Sequence, residues 1–338
     1  MDLRYAYANA RVKGMKSKLL PAAKVRELLA VDSVDSVIGL LEDSAYKREF
    51  VECSTRYRGI ELVGKALALN MARTLATVNR ILPEHAQDAF RTLAGLWVLE
   101  DLGKVLSKKA AGEAVDETEL SLVDDKYAPL LLKLAKARDL RECAKLLQNQ
   151  EFADDEALAK LAEGDPRMVL AGADGYYWKR TVSNTLASGD AQLLRINRAR
   201  VDAKNALIIL RLKRDGIPAD EIRKRLLPSF VGSRYNAIIE AGDLNASIDL
   251  AAKMLGVPES AAAAAKQGRL SALEVAIERG LVERVLRESR LSVLGMGAIT
   301  GFLYLKWTEI GNIRKIAYAT HYGLKEELGD TVFTVKAS

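Results

Sequence analysis

The sequence is poor in the residues that build metal centres and disulfide frameworks. Its 338 residues include two cysteines, Cys53 and Cys143, and two histidines, His85 and His321. No Cys-x-x-Cys or His-x-x-x-His spacing occurs, so a structural zinc site lacks its ligands. Two cysteines are too few for a disulfide framework. We therefore expect no metal, no cofactor and a reducing compartment such as the cytosol.

Long hydrophobic runs are also missing. The longest uncharged stretch covers 15 residues, from Leu291 to Leu305, whereas a helix needs about 20 apolar residues to cross a bilayer. The first residues do not have the pattern of a secretion signal. We expect a soluble or peripheral protein without a transmembrane segment.

The motifs of nucleotide and acyl chemistry are absent from the sequence. It contains neither a Gly-x-x-x-x-Gly-Lys-Ser/Thr phosphate loop nor a Gly-x-Ser-x-Gly nucleophile elbow. The stretch Gly295 to Gly301 resembles a dinucleotide fingerprint, but it has an extra residue and no βαβ setting. We interpret its glycines as small residues in a closely packed helix. The sequence predicts a non-catalytic protein that binds no nucleotide directly.

The net charge of the chain is compatible with an anionic partner but does not require one. Lysine and arginine number 51 against 45 acidic residues, a formal net charge of +6. Two basic helical faces favour a helical scaffold or nucleic-acid-binding protein as the alternative function. They are formed by Arg195, Arg198 and Arg200 with Lys204, and by Arg284, Arg287 and Arg290. No aromatic side chains for base stacking cluster beside these arginines, so nucleic acid is the weaker interpretation.

The apolar pattern predicts an all-α protein. Only 7 prolines occur in the chain. Apolar residues recur every three or four positions in long windows, as in Leu62, Ala66 and Leu69 and in Leu75, Val78 and Leu82. No convincing alternating run of a β-strand is present.

Two short phrases occur three times. One begins at Glu100, Asp202 and Glu309, with spacings of 102 and 107 residues. The other places Ser33, Asp139 and Asp243 just before an apolar helical pattern, and we interpret these three as helix N-caps. Repetition at a fixed period indicates repeated structural units. We predict three similar helical units of about 105 residues, 1–110, 111–217 and 218–338, around a pseudo-threefold axis.

The first phrase suggests contacts between units. An acid and an asparagine three residues apart share one helix face, and asparagine is unfavourable inside a helix unless it is bonded. We therefore predict that an inter-unit contact set bonds successive units, and the alternative is a solvated face. The predicted set is Glu100, Asp202, Asn205, Glu309 and Asn312.

Both ends of the chain resemble one known family. Residues 5–20, Tyr-Ala-Tyr-Ala-Asn-Ala-Arg-Val-Lys-Gly-Met-Lys-Ser-Lys-Leu-Leu, resemble the opening of the C subunit of archaeal and bacterial A/V-type rotary ATP synthases, the counterpart of the d subunit of vacuolar ATPases. Residues 301–317, Gly-Phe-Leu-Tyr-Leu-Lys-Trp-Thr-Glu-Ile-Gly-Asn-Ile-Arg-Lys-Ile-Ala, resemble its closing helix.

The resemblance implies a funnel-shaped, all-helical, pseudo-threefold body without catalytic residues. Such a body links the membrane proteolipid ring to the central stalk subunits of D and F type and transmits torque between them. It lies peripherally on the cytoplasmic face of the membrane. Within the matching N-terminal phrase, interface-favouring residue types suggest a partner contact at Tyr5, Tyr7, Arg11, Met15 and Lys16, and a place in the core is the alternative for the two tyrosines.

Overall fold

The computed structural model describes residues 3–117, 120–122, 124, 126–328 and 331–332. Within these residues every regular element is helical, which confirms the all-α prediction. Short 3₁₀ helices cover Leu3–Tyr5, Glu84–Ala86 and Gly232–Tyr235. The α-helices are, in chain order, α1 (Ala6–Lys16), α2 (Ala22–Ala30), α3 (Val34–Glu42), α4 (Lys47–Cys53), α5 (Gly59–Ile81), α6 (Gln87–Ala110), α7 (Ala128–Lys136), α8 (Leu140–Leu147), α9 (Asp155–Ala162), α10 (Arg167–Ser188), α11 (Ala191–Arg214), α12 (Ala219–Lys224), α13 (Asn236–Glu240), α14 (Leu244–Leu255), α15 (Glu259–Lys266), α16 (Leu270–Leu291), α17 (Met296–Tyr322) and α18 (Lys325–Leu328).

The three predicted N-caps begin three short helices. Ser33, Asp139 and Asp243 precede α3, α8 and α14, respectively. Each side chain accepts a hydrogen bond from the backbone N–H three residues further on, at 3.1, 2.9 and 2.7 Å. A cap of this kind stabilises a helix by roughly 0.5–2 kcal/mol. The capping prediction is therefore confirmed at all three positions.

The helices form two compact units. The continuous unit comprises Thr181–Leu305, and the split unit comprises the residues up to Arg180 together with those from Lys306 on. The boundaries of the three predicted repeats, near residues 110 and 217, stay predictions. Both boundaries fall close to helix ends, since α6 ends at Ala110 and α11 ends at Arg214.

In the continuous unit, two long helices and several short ones enclose one core. Helix α11 contributes Ala206, Ile209 and Leu210, and α16 contributes Leu273 and Ile277. These positions recur at three or four residues, so they lie on one stripe of each helix. Each fully buried leucine or isoleucine stabilises the fold by roughly 1.5–3 kcal/mol.

In the split unit, a similar arrangement of long and short helices encloses a core of its own. Val105 of α6, Leu134 of α7, Leu147 of α8 and Leu161 of α9 are fully buried in it. Helices α3, α4 and α5 also pack against one another in this unit. The N-terminal helix α1 packs against α5.

The glycine-rich stretch before and within α17 allows two helices of the continuous unit to approach closely. An ideal Cβ built on Gly301 would lie 2.2 Å from Cβ of Ser289 on α16. No side chain fits at such a distance. The interpretation of these glycines as residues of a closely packed helix is therefore confirmed at Gly301.

Candidate functional site

The backbone N–H groups of three leucines are each held by a side chain from a long helix. Leu122 donates to Oδ2 of Asp101 on α6 at 3.1 Å, and Leu227 donates to Oδ1 of Asn205 on α11 at 2.8 Å. The third donor is Leu20, whose acceptor is Oε2 of Glu309 on α17. We call these three contacts the leucine joints. In each of them, the side chain belongs to one predicted repeat and the leucine to the next, the third repeat being followed by the first.

Three lysines make a second set of matching contacts, the lysine joints. Nζ of Lys109, Lys213 and Lys325 donates to the backbone carbonyls of Ala137, Ala241 and Val31, respectively. Each carbonyl belongs to the residue two positions before a capping residue, Asp139, Asp243 or Ser33. In all three copies, the lysine therefore hydrogen-bonds to the backbone at the start of the second repeated phrase.

Asp202 and Asn205 of α11 are both engaged by the segment that follows their helix. Oδ1 of Asp202 accepts a hydrogen bond from the hydroxyl of Tyr235 at 2.8 Å, and Oδ2 lies 3.4 Å from Nη1 of Arg234. Asn205 is fully buried, and its amide nitrogen donates to the carbonyl of Leu227 at 3.1 Å. Burial raises the pKa of Tyr235 far above its ordinary value, which keeps the hydroxyl a neutral donor.

Glu309 occupies the corresponding place on α17. Its carboxylate accepts from the hydroxyl of Tyr46 at 2.7 Å, from Nζ of Lys306 at 3.0 Å and from the backbone N–H of Leu20. Glu309, Lys306 and Tyr46 are all buried. Nζ of Lys306 also lies 3.9 Å from the centre of the Tyr46 ring. A carboxylate, an ammonium group and a hydroxyl thus form one buried cluster. The ammonium group and the hydroxyl compensate the buried charge of the carboxylate.

Burial sets the protonation behaviour of this cluster. It raises the pKa of Tyr46 well above the ordinary value, and the Glu309 carboxylate raises that pKa further. Burial lowers the pKa of Lys306, and the same carboxylate opposes this effect. The tyrosine therefore remains a hydrogen-bond donor over the whole neutral range.

The acid of α6 that makes a leucine joint is Asp101, which the sequence reasoning missed. Asp101 is fully buried, and its Oδ2 accepts from the N–H and the hydroxyl of Ser121 at 2.9 and 2.7 Å as well as from Leu122. Burial raises its pKa, while Lys104 and these hydrogen bonds oppose the rise. The predicted residue Glu100 is partly exposed and contacts Lys104 at 3.4 Å and Arg314 of α17 at 3.2 Å.

The remaining predicted residues lie in two places. Asn312 is buried within α17. Tyr5 is buried with its ring edge-on to His85, at 5.2 Å between ring centres. The other four residues of the predicted partner contact lie on α1, where Tyr7 and Arg11 are exposed and Met15 and Lys16 are partly exposed. Tyr7, Arg11 and Met15 are four residues apart and therefore share one helix face.

The three arginines of the first basic face, on α11, are buried or paired within the continuous unit. Arg200 is buried and donates to Oδ1 of Asn197 at 2.9 Å. Arg195 lies 3.4 Å from Glu288. Arg198 reaches Asp202 at 3.9 Å. A buried or paired arginine contributes less to a phosphate-binding surface than an exposed unpaired one.

Lys213 offers a direct test of a lysine joint. Its Nζ donates to the carbonyls of Ile238, Ile239 and Ala241 at 3.4, 3.0 and 2.6 Å, so Lys213→Met would leave three carbonyls without this donor. We expect the free energy of unfolding to fall by about 1–3 kcal/mol, measured by urea denaturation. The exposed Lys253→Met on α14 is the matched control and should change it by less than about 0.5 kcal/mol. Equal effects of the two substitutions would contradict a stabilising role for the joint.

The described residues offer neither a metal site nor a membrane-spanning helix. Across the described ranges between residues 3 and 328, no group of three or more His, Cys, Asp or Glu side chains is arranged to hold a metal ion. None of the helices in the described part of the chain combines the length and apolar character needed to cross a bilayer.

Comparison with known proteins gives a consistent family for this arrangement. The relatives include proteins named as the C subunit of A-type ATP synthase from Desulfurococcus sp. (strain SY), at 25% identity over 96% of this chain and 88% of the relative, and from Methanocaldococcus jannaschii, at 23% over 96% and 84%. Another, from Thermococcus kodakarensis, is 25% identical over 96% of this chain and 88% of its own length. The family model described as ATP synthase (C/AC39) subunit matches residues 8–329. The resemblance seen at the two ends of the sequence is thereby confirmed, and the chain belongs to the ATP synthase (C/AC39) subunit family.

Proposed function

We propose that this chain is the non-catalytic adaptor of the central rotor in an A/V-type rotary ATP synthase. In this role it links the proteolipid ring in the membrane to the central stalk and transmits torque in ion-driven ATP synthesis or ATP-driven ion pumping. The observation that carries the proposal is the family match over residues 8–329, together with relatives matched over more than four fifths of their length. A match of that extent covers most of a subunit rather than one shared module.

The adaptor is proposed to be a funnel-shaped body of three repeats. The leucine joints and the lysine joints support this, because each set uses the same kind of contact three times at spacings near 105 residues. In both sets the third predicted repeat bonds to the first. A chain whose last repeat bonds to its first forms a closed ring of contacts.

Such joints suit a part that carries torque. A load that twists one repeat against the next must first break these hydrogen bonds, and those made by a charged group, such as Glu309 or Lys213, are stronger than hydrogen bonds between neutral groups. Glu309 bonds to Leu20 and Tyr46, which lie 289 and 263 residues away in the sequence. Contacts between residues so far apart in the sequence tie distant segments of the split unit together, whereas contacts within one helix stiffen only that helix.

We further propose that the protein lies peripherally on the cytoplasmic face of the cell membrane, between the proteolipid ring and central stalk subunits of D and F type. The α1 face formed by Tyr7, Arg11 and Met15 is a proposed partner contact. Tyrosine, arginine and methionine are enriched in interfaces, and Tyr7 is 63% exposed. The inter-unit contact set and the α1 face then serve different purposes, the first inside the subunit and the second between subunits.

A helical scaffold or nucleic-acid-binding protein is the alternative. The net charge of +6 favours it, but Arg200 is buried and Arg195 is paired with Glu288. Binding to nucleic acid would weaken steeply as salt rises, because bound phosphates release counterions. That salt dependence separates the two candidates.

The decisive experiment is purification of the affinity-tagged full chain from detergent-solubilised native membranes, with identification of every bound chain. The proposal predicts co-purification of proteolipid and central-stalk subunits together with ATP hydrolysis, unaffected by nuclease treatment. Recovery of nuclease-sensitive RNA in place of those subunits would contradict it and support the alternative.

A further inference from the structure

An open groove lies between α6 and the first half of α10 in the split unit. It encloses about 200 Å³ and is lined mainly by apolar surface. For comparison, an apolar cavity of about 150 Å³ can hold a benzene molecule. The groove therefore has room for one or two bulky apolar side chains.

The walls of the groove are helix stripes. On α6 the lining residues run from Asp88 to Leu102 at spacings of three or four, and on α10 they run from Ala173 to Arg180 in the same way. The lining is completed by Asp124, Lys126, Tyr127 and Phe152. The stripe on α6 is about 21 Å long at 1.5 Å per residue. Two stripes of this kind form the valley into which a third helix packs, a recurring mode of recognition between proteins. Gly95 lets the Tyr177 ring of α10 pack directly against α6 within the groove lining, since a Cβ there would lie 2.8 Å from that ring.

The rim of the groove carries two cations, Lys126 and Arg180. Lys126 lies over the Tyr127 ring at 5.3 Å, and Arg180 lies over the Tyr176 ring at 5.8 Å. Neither forms an ion pair with any residue in the part of the chain that the structure describes. The rings hold the two charges at the edge of an apolar surface.

The other charged groups of the groove are already engaged. Arg91 is paired with Asp88 at 3.1 Å, and Asp124 accepts from the backbone N–H of Lys126 at 2.8 Å. An occupant that complements the groove therefore brings apolar side chains for the valley and carboxylates for Lys126 and Arg180.

We propose that this groove docks an amphipathic helix of another protein chain, with apolar side chains seated between α6 and α10 and carboxylates paired with Lys126 and Arg180. This assigns an interaction surface that the proposed rotor function does not specify. The geometry of the groove itself supports it, so it does not depend on which complex the chain joins.

The test is photo-crosslinking in living cells with the full chain. A p-benzoylphenylalanine at Tyr176 places the reactive group in the groove wall, and one at Met168, on α10 but outside the groove, is the positional control. The expected product is a crosslink from position 176, not from 168, to a segment of another chain with apolar residues three or four apart and a carboxylate within one turn.

Charge reversal makes the result specific. Combining Lys126→Glu with Arg180→Glu should lower the yield of the crosslink at least tenfold, whereas Lys179→Glu, an exposed neighbour on α10, should leave it unchanged. The proposal is overturned if position 176 crosslinks only lipid or this chain itself, if it gives no product, or if the double reversal leaves the yield unchanged. The experiment identifies the crosslinked chain and so separates the two proposals. A crosslinked helix from a protein outside an ATP synthase would support the docking proposal while contradicting the rotor function.

Discussion

Replacing Glu309 with leucine is expected to lower the free energy of unfolding by about 3–5 kcal/mol, the range for breaking a buried ion pair by removing one partner. The substitution keeps a side chain of similar size but removes the acceptor of Tyr46, Lys306 and the N–H of Leu20 at once. Lys306 is only 5% exposed, so its ammonium group cannot turn to water. Urea denaturation of the variant and the parent chain measures the effect.

A matched control and a second substitution show how much of the effect of Glu309→Leu comes from the loss of charge and how much from changed packing. Glu283→Leu changes an exposed glutamate of α16 and should alter stability by less than about 0.5 kcal/mol. Adding Lys306→Met to Glu309→Leu should restore part of the loss, because it removes the unpaired buried charge. If Glu309→Leu unfolds at the same urea concentration as Glu283→Leu, Glu309 has no role in holding the first residues of the chain to α17.

Replacing each of two glycines of α17 with alanine is expected to change the stability of the protein in opposite directions. At Gly301 the added Cβ would lie 2.2 Å from Cβ of Ser289, so α16 and α17 must move apart. We expect Gly301→Ala to destabilise the protein by about 1–3 kcal/mol, as overpacking does. At Gly311 no atom outside the adjoining turns of its own helix lies within 4 Å of the position that an added Cβ would take, and Gly311→Ala should stabilise by about 0.5–1 kcal/mol through helix propensity.

The pair is compared by thermal and urea unfolding of the two single variants. Ser289→Gly combined with Gly301→Ala should recover most of the lost stability, because it removes the atom that the new methyl group meets. Equal stability of Gly301→Ala and Gly311→Ala would contradict the close approach of α16 and α17.

Local features of the fold could be predicted from the sequence, since their causes lie within a few residues. The apolar spacing of three or four predicts helices, and the three capping residues before α3, α8 and α14 satisfy N–H groups only three positions away. The close packing at Gly301 could also be predicted, because no βαβ pattern surrounds the stretch Gly295 to Gly301 and a nucleotide fingerprint was therefore excluded. In each case a short stretch of sequence contains the cause of the local structure.

The joints depend on contacts that no local window contains. Asp101 was missed because the repeated phrase was aligned on the neighbouring Glu100, and one residue along a helix turns the side chain by about 100° to another face. The lysine joints were missed because Lys109 and Lys213 stand in the last turns of α6 and α11, where a lysine is ordinarily a solvated charge beside the helix C-terminus. Their acceptors are backbone carbonyls, which side-chain patterns do not reveal.

Hydrogen exchange at the amides of Leu20, Leu122 and Leu227, resolved by residue in the parent chain and in Glu309→Leu, tests the leucine joints most directly. All three leucines lie outside the helices, where an N–H has no helical acceptor and exchanges quickly unless a side chain holds it. We predict protection of all three in the parent chain, and loss of protection at Leu20 with Leu122 and Leu227 unchanged in the variant. An unprotected Leu20 amide in the parent chain would contradict the contact between the last predicted repeat and the first.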